Sequence, residues 1–207
     1  MKILVTGFEP FQGVPENPSG VLMSEVEQWH PHDTDPAGYS LKSAVLPTEY
    51  EGCETRMKAL LEEFPADVVL GTGVHKEREL VHLESTAVNL DDSKRADNAG
   101  VSRHGTKIIK GGEGFLKGNL EWEYLISDLG KAGIQAVMSH DAGFFVCNHY
   151  YYWLCHRRCL VDFPHSVGFV HLPVQDSKED LQRVLQIGRT TLRVVLEGIL
   201  SRFVDRI

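Results

Sequence analysis

Cys147 is the residue in this sequence best placed to do chemistry. It follows Ser139-His140-Asp141-Ala142-Gly143-Phe144-Phe145-Val146 and precedes Asn148-His149-Tyr150. Upstream, Ile134-Gln135-Ala136-Val137-Met138 is short, apolar and β-branched enough to be a buried strand. Downstream, residues 148–160 can run as a helix. A thiol at that junction lies near a helix N-terminus, where unpaired N–H groups and the helix dipole favour the thiolate. Cys147 then reads as a nucleophile, although burial as a small hydrophobe is the commoner fate of a free cysteine and the local sequence by itself favours it.

A nucleophilic thiol needs a base, and the base needs an orienting group. His171 falls close to the carboxyl end of the apolar run Ser166-Val167-Gly168-Phe169-Val170-His171-Leu172-Pro173. Glu84 sits among apolar neighbours in the β-prone stretch Leu80 to Asn89. It reads either as the outward face of a strand or as a carboxylate that orients a histidine.

The elements that must position these groups follow from periodicity. Apolar runs predict strands over 2–6, 41–46, 66–73, 134–138 and 166–173, while spacings of three and four predict helices over 20–29, 50–64, 121–132, 148–160 and 181–207. Ser19 is the expected cap of the first helix. Residues 91–114 mix charge with glycine and read as an excursion of turns or hairpins with little core, a place for function or mobility. Strand and helix alternate, which predicts an α/β fold: a three-layer α/β/α sandwich around an open, mostly parallel twisted sheet, formed by one domain over 1–207. The loop 7–17, the segment 71–74, Cys147 and His171 should then converge on one sheet edge, where open α/β sheets bind ligands.

Other clusters carry less. Cys155, His156 and Cys159 lack a second ligand pair for zinc, and burial of both cysteines on a helix's inner face is expected; Cys53 likewise belongs to a helix's inner face. His30-Pro31-His32 reads as solvated loop. Gly71-Thr72-Gly73 is too short for a dinucleotide fingerprint. No metal or cofactor is expected.

The chain has 207 residues, 42% of them hydrophobic, and a net charge of −8. That size fits one domain with a sizeable core, and the acidic balance gives no electrostatic footprint for nucleic acid or an anionic membrane. Four cysteines do not make a disulfide framework, no signal-peptide pattern opens the chain, and no apolar stretch approaches a membrane span. A reducing, cytoplasmic setting is the expectation.

Several segments together carry a family resemblance. Thr6-Gly7-Phe8-Glu9-Pro10-Phe11 with Asn17-Pro18-Ser19 resembles the opening of the pyroglutamyl peptidase I family. Glu84 before Ala87-Val88-Asn89 and Asp97-Asn98, Asp141-Ala142-Gly143 with Val146-Cys147-Asn148, and Gly168 to Pro173 agree with it in order, over nearly the whole chain. The resemblance implies a cysteine peptidase that removes an N-terminal pyroglutamyl residue, with Cys147 as nucleophile, His171 as general base and Glu84 orienting His171. It implies a substrate pocket walled by Phe8, Phe11, Phe145 and Val146 with Asn17 beside it. That displaces ordinary loop packing as the reading of Phe8 and Phe11. N-terminally pyroglutamylated peptides are the partners implied, and relatives occur as monomers and as tetramers, which leaves a homo-oligomer open.

The sequence departs from the family at two points. Bacterial members have Gly-Gln-Ala-Gly-Gly-Arg where this chain has Gly71-Thr72-Gly73-Val74-His75-Lys76, closer to animal-type members. An arginine near the bacterial active site corresponds to Lys94, with Arg95 beside it, and lysine lacks arginine's planar fork. A related thiol amidase with shifted specificity and a non-catalytic binder on the same fold are therefore the alternatives.

Overall fold

The computed structural model describes residues 1–29, 39–75, 79–173 and 178–204. The His30-Pro31-His32 loop, Lys76 and the last three residues of the expected final helix lie outside them. In chain order the principal elements are β1 (Lys2–Phe8), α1 (Pro18–Val26), β2 (Ser40–Leu46), α2 (Tyr50–Glu63), β3 (Val68–Val74), β4 (Val81–Glu84) and β5 (Thr86–Val88). They continue with β6 (Asp91–Ser93), β7 (Arg103–Thr106), β8 (Phe115–Lys117), α3 (Trp122–Lys131), β9 (Ala136–Ser139), α4 (Val146–Val161), β10 (Ser166–Leu172) and α5 (Lys178–Val204).

Six strands form one sheet in the order β2-β1-β3-β10-β4-β9. Alternation along β1 sends Ile3 and Val5 into an apolar cluster with Leu22, Leu125 and Val195 of α1, α3 and α5. Leu4 goes to the opposite cluster, with Met57 of α2 and Tyr150 and Leu154 of α4. Both faces of the sheet are thus covered, which gives the expected three layers. Each fully buried Leu or Val contributes about 1.5–3 kcal/mol, so the two apolar clusters, rather than any polar contact, hold the sandwich together.

The sheet is mostly parallel, with one reversal that matters. β10 pairs with β4 antiparallel, and β4 pairs with β9 parallel. Directly opposed residues share a face and so do residues two apart along a strand. The register Phe169↔Glu84 and His171↔His82 therefore puts these four side chains on one face.

Local chemistry adjusts several boundaries. Asn17, not Ser19, caps α1: its Oδ1 accepts from the Ser19 N–H at 3.1 Å, and Pro18 takes the first helical turn. Ser19 lies inside the helix, with its hydroxyl oxygen accepting from the Phe8 N–H at 3.1 Å. The excursion over 91–114 becomes the β6–β7 ribbon and the connection to β8, which pairs with β5. It is anchored by charge as well as by apolar contact, since Asp91 and Asp97 are both buried. Cys53 and Cys155 are buried as expected, whereas Cys159 is exposed because the last turn of α4 emerges from the core. Among the described residues no helix is long and apolar enough to cross a membrane.

Candidate active site

The site begins with Glu84 at the end of β4. Its main-chain carbonyl accepts from the Trp122 indole N–H at 2.9 Å and the Tyr151 hydroxyl at 2.8 Å, which fixes the strand end. Its side chain is wholly buried, and Oε1 lies 2.8 Å from Nδ1 of His171, itself 1% exposed. Oε2 has no hydrogen-bond partner among the described residues. A half-satisfied buried carboxylate costs about 1–3 kcal/mol. The histidine contact is therefore the interaction that holds this side chain in place.

Cys147 reaches this pair by a detour. Because β9 runs against β10, its end at Ser139 lies level with Glu84 and hence with Phe169, short of the end of β10. Residues 140–145 carry the chain back to the carboxyl edge. Their turn depends on Gly143, whose φ of +77° suits glycine, and on the Asp141 Oδ1 that accepts the Gly143 N–H at 2.9 Å. α4 starts at Val146, two residues before the expected start, so Cys147 sits inside its first turn. There the sulfur abuts Gly73, the β3 residue in register with His171. A Cβ at Gly73 would stand 2.8 Å from Cys147 Sγ and 3.1 Å from the Phe169 ring, so glycine is required there.

Burial, followed by the nearby charge of Glu84, pushes the Cys147 thiol up to about 12, against the opposing pull of its own main-chain N–H. The expectation that the helix N-terminus would favour a resting thiolate is thus overridden by desolvation.

A cavity of about 920 Å³ opens over these groups. Phe8, Phe11, Asn17 and Phe145 line it together with Cys147 and His171, and so do Lys94 and Arg95. The Phe11 and Phe145 rings are 6.1 Å apart, and the Arg95 guanidinium lies over Phe11 at 5.4 Å. Asn17 is committed to its cap and also donates to the Glu9 carbonyl at 3.1 Å. Val146 is wholly buried in the cluster beneath and is not among the lining residues.

The lining also includes His75 and His82, which sequence reasoning did not single out. The His75 ring meets the His171 ring edge to face at 5.5 Å. His82 was findable in principle, because it lies two residues before Glu84 and so shares its face. His75 lies in the Gly71 to Lys76 departure from the family, but its place against His171 depends on how β3 and β10 align. Among the described residues no group of three or more His, Cys, Asp or Glu side chains could hold a metal ion.

A free thiol and a carboxylate-held histidine that line one cavity at the carboxyl edge of an α/β/α sandwich are the groups a thiol hydrolase needs. The family model for pyroglutamyl peptidase matches residues 1–197, and the chain belongs to this family of cysteine peptidases. It is 33% identical to the pyrrolidone-carboxylate peptidase of Clavibacter michiganensis subsp. michiganensis, over 98% of this chain and 94% of that one. With the pyrrolidone-carboxylate peptidase of Thermosipho melanesiensis it shares 32% identity over 97% and 99% of the two chains. The crystal structure of pyrrolidone carboxyl peptidase from Fervidobacterium islandicum superposes with a TM-score of 0.86 at 28% identity, covering 96% of this chain and 98% of that one.

Proposed function

We propose that this chain hydrolyses the amide bond following an N-terminal pyroglutamyl residue, with Cys147 as nucleophile, His171 as general base and then acid, and Glu84 as the group that orients His171. The observation that carries the reading is the buried 2.8 Å contact between His171 Nδ1 and Glu84 Oε1 in the wall of the cavity that holds Cys147. Glu84 occupies Nδ1, which leaves Nε2 to take the thiol proton as sulfur attacks the carbonyl carbon. We assign the Cys147 main-chain N–H to the oxyanion. Collapse expels the amine, which receives the proton from His171, and leaves a thioester on Cys147. A water then gives a proton to His171, attacks the acyl carbon and releases pyroglutamate, and the thiol is restored.

Pyroglutamate is a flat, neutral lactam, and Phe8, Phe11 and Phe145 offer the apolar walls it needs, with Asn17, Lys94 and Arg95 as polar company. Phe8 lies on the β1 side of Gly73, whereas His82 lies on the β4 side of His171. The lactam therefore fits the first side, and the leaving peptide passes over His75 and His82.

The test is hydrolysis of pyroglutamyl, prolyl and glutamyl coumarin amides. A pocket built around the lactam amide should favour the pyroglutamyl compound by about 10³-fold or more in kcat/KM. Comparable or faster turnover of either other amide would overturn the reading in favour of a thiol amidase of different specificity.

The pH profile follows from the thiol. The alkaline fall caused by thiol ionisation should move from the ordinary cysteine range near about 8.5 towards strongly alkaline pH, because burial raises this thiol. A fall in kcat centred near the ordinary cysteine value, measured at saturating substrate, would contradict it.

A further inference from the structure

His149 lies two residues beyond the nucleophile, is 1% exposed, and has no part in the chemistry above. Its Nδ1 stands 2.8 Å from Asp91 Oδ2 on β6, and its Nε2 stands 3.0 Å from Glu54 Oε1 on α2. Ionised carboxylates only accept hydrogen bonds, so an imidazole held between two of them donates from both nitrogens. We infer that His149 is a positioning residue, held as an imidazolium, that clamps the β6–β7 ribbon to the first turn of α4 and so holds the Lys94–Arg95 wall of the substrate cavity in place. The substrate part of this inference rests on the function proposed above.

The surroundings are built for that charge. Arg103 of β7 donates to the same Asp91 Oδ2 at 2.9 Å, and its Nη2 is 3.5 Å from Glu51. Lys58 meets Glu54 at 3.2 Å. Three cations, His149, Arg103 and Lys58, thus face three anions, Asp91, Glu54 and Glu51, and further titratable neighbours are Tyr50 and Cys53 of α2, Cys147, and the buried Asp97, which accepts the Tyr50 N–H at 3.0 Å. Burial works against the His149 charge, but hydrogen bonds to Asp91 and Glu54 and their Coulomb attraction outweigh it, so its pKa is raised. The Glu54 carboxyl, raised by burial, is brought below its ordinary value by His149 and Lys58.

The cluster connects directly to the cavity wall. Asp91 begins β6, and Ser93, Lys94 and Arg95 follow at once along the lining. The Tyr50 ring stands between the parts, 5.3 Å from the His149 ring, 5.7 Å from the Phe145 ring and 4.6 Å below the Arg103 guanidinium. Two neutral ties run alongside: the Asn148 amide nitrogen donates to the Val88 and Leu90 carbonyls at 2.9 and 3.0 Å, and the Asp92 N–H donates to Phe144 at 3.1 Å. Loss of the His149 charge should therefore loosen the wall without dissolving the fold.

The sign of the pH effect is fixed by the raised pKa. Stabilisation by the imidazolium is complete below the ordinary histidine value, about 6.5, and is lost as pH rises through the higher value in the folded chain. The wall should slacken at alkaline pH, where the buried Asp91 is left with Arg103 at 2.9 Å.

The test combines kinetics and spectroscopy. In His149→Gln, KM for a pyroglutamyl amide should rise about tenfold while kcat changes by less than about threefold, the pattern of lost binding rather than lost chemistry. Wild-type KM should climb with alkaline pH, and the variant should lack that climb. Glu54→Gln, a gentler change at a partly exposed partner, should raise KM less. In the wild type at neutral pH, nitrogen-detected NMR should find both His149 ring nitrogens protonated. A neutral His149 ring there would overturn the inference, and so would a lower Tm in both variants with KM unchanged. If the wild type turns over no pyroglutamyl amide, the functional reading fails instead. The clamp is then decided by the ring nitrogens and by faster amide exchange over the β6–β7 ribbon in His149→Gln, with unchanged exchange overturning it.

Discussion

Glu84→Gln is expected to lower kcat about 10³–10⁴-fold with little change in thermal stability. Glutamine nearly matches the shape of glutamate but carries no charge, and its amide N–H₂ can face Nδ1 of His171. That selects the tautomer whose Nε2 already holds a proton and cannot accept one from Cys147. It also removes the anion that would stabilise the imidazolium formed during attack. The stability side runs the other way: Glu84 is a wholly buried carboxylate with Oε2 unpartnered among the described residues. Replacing a buried charge by a neutral group of equal volume removes a desolvation cost, so the net effect should lie within about 1–2 kcal/mol of zero. Steady-state kinetics beside a melting curve separate the two. A kcat within about tenfold of wild type would remove Glu84 from the triad, and a large fall in Tm with a matching loss of activity would make it structural.

Cys147→Ala is expected to lower kcat by about 10⁴-fold or more while leaving pocket affinity nearly intact. The sulfur lies against Gly73, and its removal vacates a small volume in the wall of the cavity. Phe8, Phe11 and Phe145 keep their places, because Phe8 packs edge to face on Tyr150 at 5.6 Å and Phe145 on Tyr50 at 5.7 Å. Calorimetry with pyroglutamate or an unreactive pyroglutamyl analogue should give a Kd within about threefold of wild type. Weakened binding of the same order as the lost rate would mean that the cysteine shapes the pocket instead of reacting in it.

Much of this site was legible from residue order. The apolar runs of β1, β3 and β10 have the near-continuous character of strands buried on both faces, and their ends carry Phe8, Gly73 and His171 to one edge as expected. Glu84 was ambiguous because a period of two does not say which face points inward. The antiparallel step from β10 to β4 decides that, and pairing between distant strands leaves no local mark. α4 begins two residues before the expected start because its N-cap, Phe145, makes no side-chain cap hydrogen bond and so leaves no capping signal in the sequence. The α1 cap was misassigned although Pro18 was a usable signal, since proline favours the first helical position and points to Asn17 before it. His149 had no signal at all: a histidine after Asn148 on an expected helix is unremarkable until Asp91 and Glu54, from two other elements, close on its nitrogens.

The raised thiol also bears on the triad we propose. With Cys147 protonated at rest, that proposal has proton transfer to His171 accompany attack, which makes the His171–Glu84 pair a requirement of its first step. This makes Cys147 the place where the account is most exposed. The most direct measurement is acid-quenched mass spectrometry of the enzyme mixed with a pyroglutamyl active ester, a substrate whose fast acylation lets the thioester accumulate. The account predicts a burst of leaving group and one pyroglutamyl group on the peptide containing Cys147, absent in Cys147→Ala. Turnover that persists in Cys147→Ala, or a pyroglutamyl group found on another residue, would contradict it.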